Sequence, residues 1–391
     1  MSYANKKAQD LLHTPEGVRD SYGRENTAKQ AALEEISKKI HLYGYEDIQT
    51  PSFEYFDVFG SEIGTTPSRE LYKFFDKEGN TLVLRPDFTP SVARCAAKYY
   101  MEEKRPLRFC YQGNTFCNTS DLQGKLKETT QIGAELMNDG GIEADGEMIA
   151  MLSECLLSAG LTKFQISVGN VEYFKGICEY LHMDPALEMA LRDEISQKNY
   201  FAAEDLLKSE GFSKPERDLF LQIRDFMETA EDLRKAAETA PNDRAFRAVR
   251  RLIDVWEVVD AYGLSKYVSF DLSLLSKYHY YTGIIFKGYT YGTGEPIASG
   301  GRYDQLLSYF GKRAPAIGLM ISIDPLLEAM RRQHLQDVRE PEIHKIYYNK
   351  GNYKSALKTA RMSRMAGFPT VLLPEPETGG SDETASGAGE L

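Results

Sequence analysis

Apolar and polar positions alternate along this chain in two periods. Ala32, Leu33, Ile36, Ile40 and Tyr43 recur three or four residues apart within 28–43. That spacing predicts a helix with one buried stripe, and Gly44 is a natural stop after it. The stretch 44–51 reads as a strand closed by Pro51, which suits an edge or an interface. Residues 72–75 and 82–84 flank Asp76-Lys77-Glu78-Gly79-Asn80 as a hairpin. Thr89-Pro90 opens a helix, with Thr89 at the N-cap and Pro90 at the first helical position. Residues 107–113 and 128–136 predict two antiparallel strands around a polar loop. A helix over 145–159 and a strand over 164–168 follow.

The texture then changes. Residues 176–264 are charged, helical in pattern and broken by Gly211, Pro215 and Pro241. They read as a helical insertion between two parts of one sheet. Strand texture returns at Val268, Phe270, Leu272 and Leu274, which would share one face, and continues through 283–289 and 316–322. A helix starts near Pro325. After a polar linker over 335–342, residues 346–348, 353–366 and 370–373 predict a small β-α-β piece with a right-handed crossover. The tail 375–391 is Gly, Ser, Thr and Glu, a composition that favours disorder. The expected organisation is a discontinuous core (1–175 plus 265–334), a helical insertion (176–264), a C-terminal piece (343–374) and a tail.

Composition narrows the classes. The 391 residues are 42% hydrophobic, enough for a sizeable core. Net charge is −11, from 47 basic and 58 acidic residues, which argues against broad nucleic-acid binding. Cys95, Cys110, Cys117, Cys155 and Cys178 are scattered without a C-x-x-C, so a reducing, cytoplasmic setting fits better than a disulfide framework. The six histidines are equally dispersed, and no metal site is expected from their spacing. The N-terminal residues carry no apolar signal region, and no run is apolar enough to span a membrane.

Five strings occur in order: 14–20 (Thr-Pro-Glu-Gly-Val-Arg-Asp), 84–90 (Leu-Arg-Pro-Asp-Phe-Thr-Pro), 125–136 (Lys-Leu-Lys-Glu-Thr-Thr-Gln-Ile-Gly-Ala-Glu-Leu), 280–283 (Tyr-Tyr-Thr-Gly) and 299–304 (Ser-Gly-Gly-Arg-Tyr-Asp). Together they resemble histidyl-tRNA synthetase over about 14–175 and 266–330, with a weak echo to 373. Gly-Asn-Thr-Phe at 113–116, 122–131 and Arg85-Pro86-Asp87-Phe88-Thr89 are more similar to the regulatory-subunit family of ATP phosphoribosyltransferase, a synthetase paralogue. The resemblance implies an α+β fold of the class II synthetase type: an antiparallel sheet flanked by helices, with a truncated remnant of the anticodon-binding domain at 343–374.

The same resemblance exposes three departures. Where a synthetase keeps arginines near the α-phosphate of ATP, this chain has Cys117, Ser276 and Pro325. Activation brings a carboxylate against a phosphate, so fixed cations are required, and the guanidinium fork suits them best. Losing one such donor costs about 3–4 kcal/mol of transition-state stabilisation, and two would reduce turnover by roughly 10⁴. Pro325 has no N–H to offer a phosphate either. Lys277 is a neighbouring cation that could substitute for the arginine lost at Ser276.

Residues facing the amino acid are better kept. In a strand over 128–136, Gln131, Gly133 and Glu135 share one face. By the resemblance, Asp87, Thr89 and Gln131 would hold an α-amino group, and Glu135 and Tyr281 an imidazole. Tyr280 belongs to the same candidate set, and Gly300 and Gly301 would let backbone approach the ligand. Plainer readings stand beside these: Glu135 could be a core residue paired to Arg302 or Arg85, Tyr280 a core aromatic facing away from Tyr281, and Arg302 and Asp304 a structural ion pair. His279 and Cys117 receive no catalytic role. The family implies a non-catalytic regulatory subunit for the first step of histidine biosynthesis. It would bind L-histidine, transmit feedback inhibition, and assemble as a homodimer through 44–55 with a short-form catalytic subunit that uses magnesium. The chain itself would hold no cofactor. The rivals are a working histidyl-tRNA synthetase and a synthetase-like sensor module.

Overall fold

The computed structural model describes residues 12–60, 66–119, 125–224, 229–276, 280–335 and 342–376, and the backbone of 226–227. The chain divides into two units, Met1–Gln336 and Asp337–Leu391. Lys277 and His279, the loop at 120–124 and the tail from 377 lie outside the described residues.

In the larger unit, helix α1 (Gly23–Leu42) buries Ala28, Ala32, Leu33, Ile36 and Ile40 along one stripe. Gly44, at φ 79°, turns the chain into β1 (Glu46–Asp47). The strand expected over 44–51 shrinks to these two residues. The reason is local: the carbonyls of Thr50 and Pro51 accept from Arg85 Nη1 at 2.9 and 3.3 Å instead of joining a ladder. Strands β2 (Phe53–Tyr55), β3 (Lys73–Phe75) and β4 (Thr81–Leu84) form a small separate sheet in the order β2-β4-β3. The β3–β4 turn is the expected hairpin, fixed by the Asp76 carboxylate, which accepts from the backbone N–H of Glu78 and Asn80 at 3.0 and 2.8 Å.

The main sheet has nine strands, in the order β1-β5-β6-β12-β11-β10-β7-β9-β8. Its middle is antiparallel: β5 (Leu107–Phe116), β6 (Glu128–Met137), β12 (Ala316–Ser322), β11 (Ala298–Arg302), β10 (Ile284–Thr290) and β7 (Phe164–Asn170). Parallel pairs lie toward the two margins, β1 with β5 and β7 with β9 (Val268–Asp271). The expected α+β arrangement, a largely antiparallel sheet accompanied by helices, holds. β9 stops at Asp271, short of Leu272 and Leu274, because the Asp271 carboxylate accepts from Ser273 N and Oγ and turns the chain.

Helix α2 (Thr89–Tyr99) differs at its start from the expectation. Its N-cap residue is Phe88, and Pro90 sits in the first turn. Thr89 does not cap, since its hydroxyl donates to Glu135 at 2.7 Å. The Asp87 carboxylate accepts from Thr89 N at 3.3 Å in its place.

Helix α3 (Ile142–Ser158) is almost wholly buried. Among the described residues of 171–261 there are six α-helices: α4 (Val171–Tyr180), α5 (Pro185–Ser196), α6 (Tyr200–Ser209), α7 (Lys214–Leu221), α8 (Ala230–Glu238) and α9 (Asp243–Ala261). Pro185 and Pro215 open helices here, in first-turn positions where no N–H is missed. The segment also carries β8 (Phe226–Met227), which pairs with β9. α9 packs on α3, α4 and β7. Helix α10 (Ile323–Arg332) follows β12. In the smaller unit, β13 (His344–Tyr348) and β14 (Thr370–Pro374) run parallel and are joined by α11 (Tyr353–Met365). No helix among the described residues is long and apolar enough to cross a membrane.

One buried carboxylate ties the layers of the larger unit together. Asp145, on α3, accepts from Arg302 Nε on β11 at 2.8 Å and from Arg251 Nε on α9 at 2.7 Å. Arg302 also donates to the Asp139 carbonyl at 2.9 Å and to Asp304 at 3.2 Å. Removing one partner of such a buried pair leaves an uncompensated charge. Asp145→Ala should therefore lower unfolding stability by about 3–5 kcal/mol, read as a reduced urea midpoint by circular dichroism.

Candidate ligand pocket

The register of the main sheet builds the pocket. Glu135 lies opposite Gly318, and Gly318 opposite Gly301. Two glycines in one row leave a trough beside the Glu135 carboxylate. A Cβ on Gly318 would stand 1.7 Å from Glu135 Oε2, and one on Gly301 2.8 Å from the Tyr281 ring. Gly133, two residues along the same face, is covered by the Tyr111 ring, whose hydroxyl would lie 2.5 Å from a Cβ there. The expected gap at Gly133 is thus filled from β5. Gly300 makes room for Phe286, 2.4 Å from its ideal Cβ. The two glycines at 300 and 301 therefore serve close packing of protein rings, and both also line the cavity.

Asp87, Thr89, Gln131, Tyr280, Tyr281, Gly300 and Gly301 all line one small cavity, with Ser299, Tyr303 and Gly318. Glu135 is not one of these lining residues but is hydrogen-bonded to two of them, Thr89 and Tyr303. Its carboxylate accepts from Thr89 Oγ1 at 2.7 Å, from Tyr111 at 3.4 Å and from the Tyr303 hydroxyl in a short hydrogen bond. It is paired to neither arginine. Arg302 serves Asp145, and Arg85 donates to backbone carbonyls and stacks on Phe88 at 3.9 Å. Tyr280 and Tyr281 both reach the cavity, their rings 4.6 Å apart, because they lie outside any strand and do not alternate. Tyr280 donates to Asp87 at 3.4 Å. Gln131 Oε1 is buried and has no hydrogen-bond partner among the described residues. Tyr111 and Gly318 escaped the sequence reading, since only strand register brings them beside Glu135.

The electrostatics are one-sided. Asp87 is the carboxyl among the described lining residues, Glu135 is hydrogen-bonded to the lining residues Thr89 and Tyr303, and no basic side chain is among that lining. Burial raises the Asp87 carboxyl above its ordinary range and pushes Glu135 up to about 8, against hydroxyl donors that favour its anion. The hydroxyls of Tyr111, Tyr281 and Tyr303 are also raised, chiefly by burial, and remain protonated donors. Such a pocket is complementary to a small cation with N–H groups.

Beside it, sharing Tyr281, Ser299, Gly300 and Met320, opens a cleft of about 980 Å³. Ser276 and Pro325 lie in its wall. Its described cations are Arg19, Lys125 and Lys287, against Glu295, Asp324 and Glu328. Each cation is engaged: Arg19 with Glu25 at 2.6 Å, Lys125 with Glu295 at 2.5 Å, and Lys287 with the Leu275 carbonyl at 3.2 Å. Asp324, next to Pro325, accepts from Thr130 N at 2.7 Å and pairs with Lys29 at 3.3 Å. Cys117, the third departure, follows β5, its N–H bonded to the Lys127 carbonyl at 2.8 Å.

The histidyl-tRNA synthetase family model matches residues 17–326. An ATP phosphoribosyltransferase regulatory subunit of Acetivibrio thermocellus is 35% identical over 97% of this chain and 90% of its own length. The chain belongs to the ATP phosphoribosyltransferase regulatory-subunit family. A second regulatory subunit, from Ruminiclostridium cellulolyticum, is 36% identical over 90% of this chain and 84% of its own. A crystal structure described as an ATP phosphoribosyltransferase regulatory subunit/histidyl-tRNA synthetase from Bacillus halodurans superposes with a TM-score of 0.85 at 32% identity, covering 95% of both chains. Histidyl-tRNA synthetase from a Nostoc species shares the fold, with a TM-score of 0.77 at 19% identity over 94% of this chain and 87% of that one.

The raised pKa of Glu135 has a pH signature. The folded state holds its proton up to about 8, whereas the unfolded carboxyl releases it near 4.5. Between those values the folded state binds more protons, so this group makes stability fall as pH rises, by at most about 1.4 kcal/mol per unit. Glu135→Gln keeps an acceptor for the hydroxyls and removes the titration. Urea unfolding from pH 5 to 8 should show this decline in the parent protein and a flatter profile in the variant.

Proposed function

We propose that this chain is a non-catalytic regulatory subunit of ATP phosphoribosyltransferase that binds L-histidine in the pocket around Glu135. The observation that carries the reading is the contrast between neighbouring sites. The small pocket is lined by Asp87, Thr89, Gln131 and Tyr281, with Glu135 hydrogen-bonded to Thr89 beside it, while Ser276 and Pro325 occupy the wall of the larger cleft. A histidine α-ammonium would meet Asp87 and the free acceptor on Gln131, and its imidazole N–H would meet Glu135. With its described cations already engaged, the larger cleft offers little to a triphosphate.

In this role the chain associates with a short-form catalytic subunit, is needed for its activity, and passes histidine feedback to it. A homodimer through 44–55 is part of the same reading, and magnesium serves the catalytic partner. Feedback requires histidine to bind two states of the complex unequally, typically by about 1–3 kcal/mol. The cavity volume is about 30 Å³, near the space of one water. Histidine binding therefore requires Tyr280 and Tyr281 to move outward, and that displacement is a physical route for the signal.

Copurification with a short-form catalytic subunit, assayed for phosphoribosyl transfer, tests the reading. Activity should require this chain and fall with histidine, and Asp87→Asn should blunt the inhibition while keeping the activation. Calorimetry on the complex should show histidine heat lost in the same variant. Robust histidine-dependent ATP–pyrophosphate exchange by the chain would instead establish a working synthetase.

A further inference from the structure

Outside the pocket, three side chains of different chemistry converge at the β1 edge of the main sheet. His41 comes from the last turn of α1, Asp47 from β1 and Cys110 from β5. The turn at Gly44 brings His41 back over β1, and parallel pairing sets Asp47 against Cys110. His41 Nε2 lies 3.1 Å from Asp47 Oδ1, and Cys110 Sγ lies 3.3 Å from the same oxygen. The three ligand atoms all fall within 4.8 Å of one another.

We propose that His41, Asp47 and Cys110 form a binding site for a divalent transition metal of the zinc class. Imidazole nitrogen, carboxylate oxygen and thiolate sulfur are the donor set such ions take. In a tetrahedral site with ordinary bond lengths, neighbouring donor atoms stand about 3.3–3.6 Å apart. From Asp47 Oδ1, the 3.3 Å to Cys110 Sγ meets the lower end of that range and the 3.1 Å to His41 Nε2 falls slightly short of it, so rotamer adjustments admit the ion. His41 and Asp47 are exposed and Cys110 is buried, so the ion would sit at the surface with its fourth position open to water or a ligand from another chain. Metal binding replaces the Cys110 thiol proton, which passes to solvent. Sequence spacing gave no sign of the site because its ligands come from three elements across nearly seventy residues, joined only by the α1–β1 turn and the β1–β5 register.

The test uses the full chain, treated with chelator and titrated with cobalt(II) alone. One equivalent should bind, with a thiolate-to-cobalt charge-transfer band in the near ultraviolet and intense tetrahedral visible bands, and zinc should displace it. Cys110→Ser should abolish the charge-transfer band. His41→Ala, an exposed change that leaves the thermal midpoint in place, should weaken cobalt binding by more than about tenfold. Absence of a thiolate band in the parent chain would overturn the proposal. So would a band and affinity that survive His41→Ala, which would place the ion on another cysteine.

Discussion

The larger unit is organised around a charge that could not be buried alone. Asp145 sits inside α3 with no exposure, between the guanidinium groups of Arg302 and Arg251. Those arginines come from the sheet and from the last long helix of the helical segment, so one carboxylate fixes three elements far apart in sequence. The arrangement has a directional consequence that packing lacks. Arg302 is held at one end of β11, and the two residues before it, Gly300 and Gly301, are thereby set opposite β12 and the Glu135 row. A buried ion pair contributes little net stability, but it penalises any register that separates its members.

The pocket next to that row shows the opposite electrostatic arrangement. Glu135 has hydroxyl donors and, among the described residues, no cation partner, and Asp87 is near enough to raise its proton affinity. Burial chiefly, and Asp87 to a smaller extent, raise the proton affinity of Glu135, and an arriving ligand ammonium would oppose that rise. Among the described residues Glu135 has no arginine partner. Had Arg302 or Arg85 paired with Glu135, the site would be electrostatically complete without a ligand. Arg302 is held by Asp145, and Arg85 by the carbonyls of Thr50, Pro51 and Asn114.

Much of this was legible in the residues, and each exception has an identifiable cause. The stripe of α1, the 107–116 and 128–137 strand pair and the Asp76 hairpin follow from periodicity and turn chemistry. Thr89 was misread as a cap because Thr-Pro is a strong helix-start signal, and nothing in sequence shows that Glu135 competes for the same hydroxyl. Tyr280 was read with strand alternation that does not apply in a turn. The strand at 44–51 was cut short by Arg85, a donor thirty-four residues from Pro51.

The sequence by itself determined the fold class, the set of side chains available to the pocket and the replacement of three arginines by Cys117, Ser276 and Pro325. Those follow from residue identity and short-range order. The tertiary structure decided which groups share one space: Tyr111 over Gly133, Gly318 against Glu135, and Ser276 with Pro325 in a common wall. It also decided that the arginines able to neutralise Glu135 were committed elsewhere. The physical reason is that strand register and charge pairing are long-range choices, fixed only when separate segments compete for the same partner.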